Sequence, residues 1–257
     1  MEDKDTLIKI DSMSLKFPGN NGYPLSVFKN LSLDIKRGEF IAIVGPSGCG
    51  KTSLLKLVGD LIQPTEGTIL INEHTPREAR KNRKFSFVFQ NPVLLPWRTV
   101  LKNVEIAGEI FHDSKVRSRA QEFINLVGLN GFENAYPNQL SGGMESRVAI
   151  ARALTFNPEV LLMDEPFADL DELTRFRMNM ELLRVWHSQK PTVLFVTHSL
   201  REAIFLADNV VVLAPRPSKI KGIFQISLPR PRKIDITETP QFARYVSNLR
   251  DKLQVEF

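Results

Sequence analysis

Gly45-Pro46-Ser47-Gly48-Cys49-Gly50-Lys51-Thr52 sets glycines, a lysine and a hydroxyl in an order suited to gripping phosphate. Glycines let successive backbone N–H groups curl around anionic oxygens without Cβ clashes. A helix that follows adds the partial positive charge of its N-terminus. Lys51 is then in reach of the β- and γ-phosphates of a nucleoside triphosphate, and the Thr52 hydroxyl can ligate Mg²⁺. The flanks fit this reading. Phe40-Ile41-Ala42-Ile43-Val44 is a short apolar run of the kind that forms a buried parallel strand, and Ser53-Leu54-Leu55-Lys56-Leu57-Val58 reads as the first turns of a helix. An ordinary Gly-rich turn is the alternative. The bare pattern arises by chance in on the order of one per cent of chains this long, and the flanking strand and helix lower that further.

Three other places carry matching chemistry. Val160-Leu161-Leu162-Met163 is a buried strand, and Asp164-Glu165 follows at its C-terminal end, the edge where open α/β sheets bind ligands. An aspartate there can hold Mg²⁺ through its water shell, and the glutamate can polarise an attacking water. Helix-capping acids before Pro166 are the plainer reading. His198 ends another strand in Val196-Thr197-His198-Ser199, where a γ-phosphate contact competes with a structural role. Leu140-Ser141-Gly142-Gly143-Met144-Glu145 opens a helical stretch. It is either a second anion site or a simple capped helix start.

These residues need a scaffold. The chain has 257 residues, enough for a proper core, with 25% charged and 42% hydrophobic residues as in soluble globular proteins. Alternating apolar residues mark strands at Ile8, Ile10, Met13, Leu15 and Phe17, and again at Leu31-Ser32-Leu33-Asp34-Ile35. Pro18-Gly19-Asn20-Asn21-Gly22 is a loop. Residues 77–84 form a basic patch without aromatic residues, hence an exposed connection rather than a nucleic-acid site. Residues 100–157 are helical in pattern; Ala120, Phe123, Ile124 and Val127 share one face and Gly128 is a stop. Strands resume at Val160, Thr192 and Val210, alternating with helices, which argues a mostly parallel, doubly wound α/β sheet. Thr239 and Pro240 open an amphipathic helix carrying Phe242, Tyr245, Val246 and Leu249. The expected divisions are 1–90 for the N-terminal β region and phosphate-loop part of the core, 91–157 for an inserted helical subdomain, 158–214 for the rest of the core, and 215–257 for a β/helical extension.

Composition bounds the setting. The net charge is +5, and much of the excess lies at Arg216, Lys219, Lys221, Arg230, Arg232 and Lys233, which suits an anionic partner or a solvated basic edge. Cys49 is the only cysteine, which excludes an intrachain disulfide and suits a reducing compartment. Its position beside a helix N-terminus favours a reactive thiol if exposed, and an inert residue if the side chain points inward. No apolar run approaches the roughly 20 residues needed to span a bilayer, and Met1-Glu2-Asp3-Lys4-Asp5 is not a signal peptide. A cytosolic protein is expected, with any membrane role supplied by a partner.

Residues 45–52, Gln90, 140–144, 160–165, Asp171 and His198 stand in the order and context of the ATP-binding subunits of ABC transporters, which the chain resembles from about Leu7 to Leu213. They look like the Walker A, Q-loop, signature, Walker B, D-loop and switch-histidine elements. The resemblance implies an ABC ATPase fold: a P-loop NTPase core with a mostly parallel sheet, an N-terminal antiparallel β region and an inserted helical signature subdomain. It implies ATP and Mg²⁺ as cofactors. Gly45, Pro46, Ser47, Gly48, Cys49, Gly50, Lys51, Thr52 and Ser53 would surround the phosphates, with Thr52, Gln90 and Asp164 on the metal. Glu165, His198, Gln90 and Lys51 would be catalytic. Ser141, Gly142, Gly143 and Asp171 would also bind nucleotide, the signature doing so across an interface between two copies. Phe17 resembles the aromatic residue that stacks on adenine, with core packing as the alternative and Tyr23 a weaker candidate.

Leu94-Leu95-Pro96-Trp97-Arg98-Thr99-Val100 and Ala214-Pro215-Arg216-Pro217 resemble the importer branch for nitrate, sulfonate and taurine. Leu94, Leu95 and Trp97 would then lie near a permease, or else simply pack the subdomain boundary. Met144 departs from the commonest Gln of the superfamily, although this branch often has Met. The implied function is an ATPase that dimerises around two ATP and drives a separate transmembrane permease from the cytoplasmic face of the membrane. A solute-binding protein would be an indirect partner, and no nucleic acid is expected. The competing reading is a soluble ABC-type ATPase acting on nucleic acid, but such relatives carry long coiled-coil insertions or paired cassettes. A non-catalytic interaction subunit is disfavoured by Lys51, Glu165 and His198.

Overall fold

The computed structural model describes residues 5–19, 23–113 and 115–253, so part of the loop expected at 18–22 lies outside the described residues. β1 (Thr6–Phe17) and β2 (Leu25–Lys36) pair antiparallel, and the apolar phase slips between Ile10 and Met13. The slip is a β-bulge: the register shifts there, and Ser12 takes a left-handed φ of 49° so that Met13 and Leu15 regain the buried face. β3 (Phe40–Val44) is buried along its whole length and runs into the glycine loop and α1 (Lys51–Val58). β4 (Glu66–Ile71) completes a 3-stranded sheet in the order β2-β1-β4. The basic stretch after it is α2 (Pro76–Lys81) rather than a bare connection. Thr75 and Glu78 cap it reciprocally, a box that overrides the patch's run of like charge.

β5 (Phe85–Val88) precedes the helices α3 (Val100–Val104), α4 (Ile106–Phe111), α5 (Val116–Leu126) and α6 (Gly142–Thr155). Ala120, Phe123, Ile124 and Val127 are buried together, and Gly128 turns the chain at φ 68° just past α5. β6 (Val160–Asp164), α7 (Glu172–Gln189), β7 (Thr192–Val196), α8 (Leu200–Leu206) and β8 (Asn209–Leu213) follow in α/β alternation. β9 (Ile220–Gln225) then returns antiparallel along β8. The result is a 6-stranded sheet in the order β5-β6-β7-β3-β8-β9, parallel except for β9.

Covering on both faces explains the unbroken apolar strands. Phe40, Ala42, Val44, Leu161, Met163, Val193 and Phe195 face a core shared with the helices. Ile41, Ile43, Val160, Leu162, Leu194 and Val196 face a second core shared with β1, β2, β4 and α1. The strand period of 2 assigns each side chain to its core. The last helix, α9 (Pro240–Leu253), is anchored by Phe242 and Leu249, both fully buried, each burial stabilising by about 1.5–3 kcal/mol. The C-terminal cations are not uniformly a solvated edge. Arg232 is only 3% exposed, donating to the carbonyls of Ile204, Phe205 and Ala207 at the end of α8, while Arg230 pairs with Asp208 at 2.7 Å.

Candidate active site

The glycine loop is shaped by contacts that allow no side chain. A Cβ on Gly50 would come within 2.7 Å of Val27 and 2.8 Å of Phe28 on β2, and Gly50 itself sits at φ 112°. Gly45 is pressed between the Cys49 sulfur and the Leu213 carbonyl, where a Cβ would meet them at 2.8 and 3.0 Å. Cys49 N–H closes the turn on the Pro46 carbonyl at 3.2 Å, and Leu54 N–H begins the helix on the Gly50 carbonyl. Gly50 offers no capping side chain to α1. The first-turn N–H groups of Lys51, Thr52 and Ser53 therefore face outward as donors for anionic oxygens. Lys51 Nζ bridges the Gly45 and Pro46 carbonyls at 3.0 and 3.3 Å, which keeps the ammonium over the loop. Ser47 and Gly48 are exposed at its rim, with Pro46 half-buried behind them.

Cys49 resolves the choice between a reactive and an inert thiol. Its side chain is 1% exposed, and desolvation raises its pKa above the ordinary value despite the nearby Lys51 charge. The sulfur fills space under the loop, so only the backbone of this residue faces the phosphate side.

The acidic edge lies one connection away. Asp164, the last residue of β6, is 3% exposed and accepts a hydrogen bond from the Thr52 hydroxyl at 3.1 Å. Burial raises its pKa, opposed chiefly by that hydrogen bond. A hydroxyl and a desolvated carboxylate in contact beside a phosphate-binding loop are a donor set that fits Mg²⁺, whose charge would hold Asp164 ionised. Glu165 adopts a left-handed φ of 47°, rare for a non-glycine residue, and its N–H bonds the Val196 carbonyl at the end of β7. This turn sends its carboxylate to His198, with Oε2 and Nδ1 3.3 Å apart. His198 is largely exposed, while the adjacent Thr197 is buried and donates to the buried Glu202. Gln90 is exposed just past β5, the strand beside β6.

Other candidates are placed apart. Ser141 caps α6, accepting from Met144 N–H at 3.3 Å, and Gly142 has open space on its Cβ side. Among the described residues no hydrogen bond joins 141–143 to the glycine loop. Asp171 caps α7 through Thr174 N–H, and hydrogen bonding from the Thr174 side chain, then from that N–H, lowers its pKa. Phe17 ends β1 opposite Leu25 and is 36% exposed, which removes the core-packing alternative; Tyr23 is more exposed still. Leu94 packs against the helical core, while Trp97 stands 71% exposed.

Two arginines were not anticipated as site residues. Arg175 ties down the loop between Glu165 and Asp171 through the carbonyls of Phe167, Ala168 and Leu170. Arg216 donates through Nε to the Gly48 carbonyl. The signal for Arg216 was its place just after a core strand, in a segment singled out for other reasons.

The ABC transporter family profile matches residues 28–168, more than half of the chain. The chain belongs to the ABC transporter family. An uncharacterized ABC transporter ATP-binding protein of Methanocaldococcus jannaschii is 44% identical over 97% of this chain and 96% of its own length. The aliphatic sulfonates import ATP-binding protein SsuB of Bacillus cereus is 40% identical over 88% of each chain. Among solved structures, the dimeric bacterial ABC transporter cassette MJ0796 superposes with a TM-score of 0.77 at 34% identity, covering 87% of this chain and 100% of that one. A post-hydrolysis form of that cassette bound to ADP and Pi matches equally well, at 32% identity. The fold is thus the ABC ATPase fold, and the chain is an ABC transporter ATP-binding subunit that hydrolyses ATP with Mg²⁺.

The buried thiol yields a direct check. A maleimide should label native Cys49 at least roughly tenfold more slowly than the denatured chain through pH 9, because burial suppresses both access and ionisation. Equal rates would put the sulfur at the surface.

Proposed function

We propose that the chain powers a membrane importer, hydrolysing Mg-ATP between two copies of itself. The observation that carries this is the gathering of Lys51, Thr52, Asp164, Glu165 and His198 at one sheet edge. The loop N–H groups and Lys51 grip the triphosphate. Thr52, Asp164 and Gln90 would hold Mg²⁺, which would supply charge neutralisation at the phosphate oxygens. Glu165 polarises the attacking water, and His198 orients that carboxylate and contacts the γ-phosphate. Phe17, on the strand pair that flanks Gly50, stacks on the adenine. Ser141 of the partner subunit, with its following glycine amides, closes over the γ-phosphate, and Asp171 lies at the junction between copies.

Trp97 is the proposed permease contact. Its loop is held from both sides. Asn103, fully buried, bonds the Leu95 N–H and the carbonyls of Leu95, Arg98 and Thr99, while Arg152 holds the carbonyls of Pro92 and Val93. A large exposed aromatic residue on a pinned loop suits a docking surface. Among the described residues no helix is long and apolar enough to cross a membrane. In the proposed assembly a separate permease carries out translocation, and this subunit sits at its cytoplasmic face. Relatives named as aliphatic sulfonates import ATP-binding proteins support a small anionic solute, and in this proposal a solute-binding protein delivers it.

Glu165→Gln should retain ATP binding and cut hydrolysis by roughly 10²–10⁴; near-normal turnover would overturn the general-base role. Trp97→Ala, reconstituted with the permease, should lose transport and keep basal ATPase activity. A parallel fall in stability and both activities would assign Trp97 to packing instead.

A further inference from the structure

The connection between β8 and β9 runs beside the phosphate loop and touches it twice. Its first contact is the Leu213 carbonyl against Gly45. Its second is Arg216, whose Nε–H donates to the Gly48 carbonyl and whose Nη2 would lie 2.9 Å from a Cβ on Gly48. The connection is itself pinned. Ala214 N–H bonds the Lys219 carbonyl at 2.9 Å, and the Ser218 hydroxyl bonds the Ala214 carbonyl at the same distance. Ser218 is fully buried and donates its N–H to the Val27 carbonyl at 2.7 Å. Val27 and Phe28 are also the residues packed against Gly50, so one stretch of β2 seats both the loop and the segment that carries Arg216.

In a trans peptide the carbonyl and the N–H point in opposite directions. The Gly48–Cys49 peptide is held from both ends, its carbonyl by Arg216 and its N–H by the Pro46 carbonyl at 3.2 Å. Gly48 has φ 75° and stands exposed at the rim, so no side chain of its own resists a flip of this peptide. A flip would break the turn bond and aim the Gly48 oxygen at the Pro46 oxygen. It would also set a carbonyl dipole among the amides that receive phosphate, where only donors favour an anion. Lys51 already engages the Gly45 and Pro46 carbonyls, and Arg216 does the same for Gly48 from outside the loop.

We propose that Arg216 is a positioning residue for nucleotide, holding the Gly48–Cys49 peptide so that the empty loop is already in its phosphate-accepting form. The proposal builds on the ATP binding of the family and adds a residue remote in sequence from the loop. Without the bond only a fraction of the loops is competent, and apparent nucleotide affinity falls by that fraction. Bound nucleotide restores the competent form whatever residue stands at 216, so the chemical step is spared.

The test uses the full chain, with calorimetric titration by Mg-ADP and steady-state ATP hydrolysis. Arg216→Met keeps the length of the side chain and removes both donors and charge. It should weaken Mg-ADP binding and raise KM for ATP by roughly tenfold, while kcat at saturating ATP changes by less than about twofold. Arg216→Gln places an amide N–H as many bonds from the backbone as the arginine Nε, without the charge, and should recover most of the affinity. Because Arg216 is exposed, both variants should melt within about 2 °C of the parent when nucleotide-free. Equal losses of affinity in Arg216→Met and Arg216→Gln would assign the effect to charge or to direct contact with nucleotide, and would overturn the proposal. Unchanged affinity in Arg216→Met would overturn it too. So would a loss that falls on kcat, or one that tracks a larger drop in melting midpoint.

Discussion

Asp164 is a carboxylate taken out of water, and the Thr52 hydroxyl is its hydrogen-bond partner. Removing a charge from solvent is costly unless partners compensate, so this contact constrains everything around it. It fixes α1 against the end of β6, and thereby sets the glycine loop relative to the acidic edge. Glu165 inherits its place from the same constraint. Its left-handed backbone is held by the bond to Val196, so the carboxylate leaves the sheet toward His198 rather than toward the loop. A strained residue persists only where its surroundings over-determine it. Here β6 and β7 are buried on both faces and supply that rigidity.

Under the proposed function, a second copy completes the site that this rigid edge presents. Ser141 and its glycines start α6 on an open face, and Arg147 locks that helix to the carbonyls of Val127 and Gly128. A helix start with exposed N–H donors favours an anion, and the phosphate loop is bound to present one. Closure by a second copy would exclude water and strengthen every charge contact at the junction.

The sequence exposed those parts whose physics is local. The glycine loop, the buried strands at Val160 and Thr192, and the α5 face follow from spacing and period alone. The slip at Ser12 is a three-residue step from Ile10 to Met13 within the alternation, and its cause is the register of β2. β9 was harder, because it is half-exposed with no fully buried run and owes its existence to pairing with β8. The arginines were least legible. Arg175, Arg216, Arg230 and Arg232 look like ordinary surface cations, but each satisfies backbone carbonyls, three of them many residues away in the chain. Cys49 was ambiguous until packing beneath the loop decided its orientation.

The central claim is that each catalytic site is assembled from two chains, and subunit mixing tests it directly. Lys51→Ala and Ser141→Arg each damage both sites of a homodimer. In a mixed dimer with shared sites, one site carries both lesions and the other is whole. Crosslinking across the junction after proven subunit exchange should therefore recover ATP-dependent closure at the whole site. No recovery, despite exchange, would show that each chain builds its site alone.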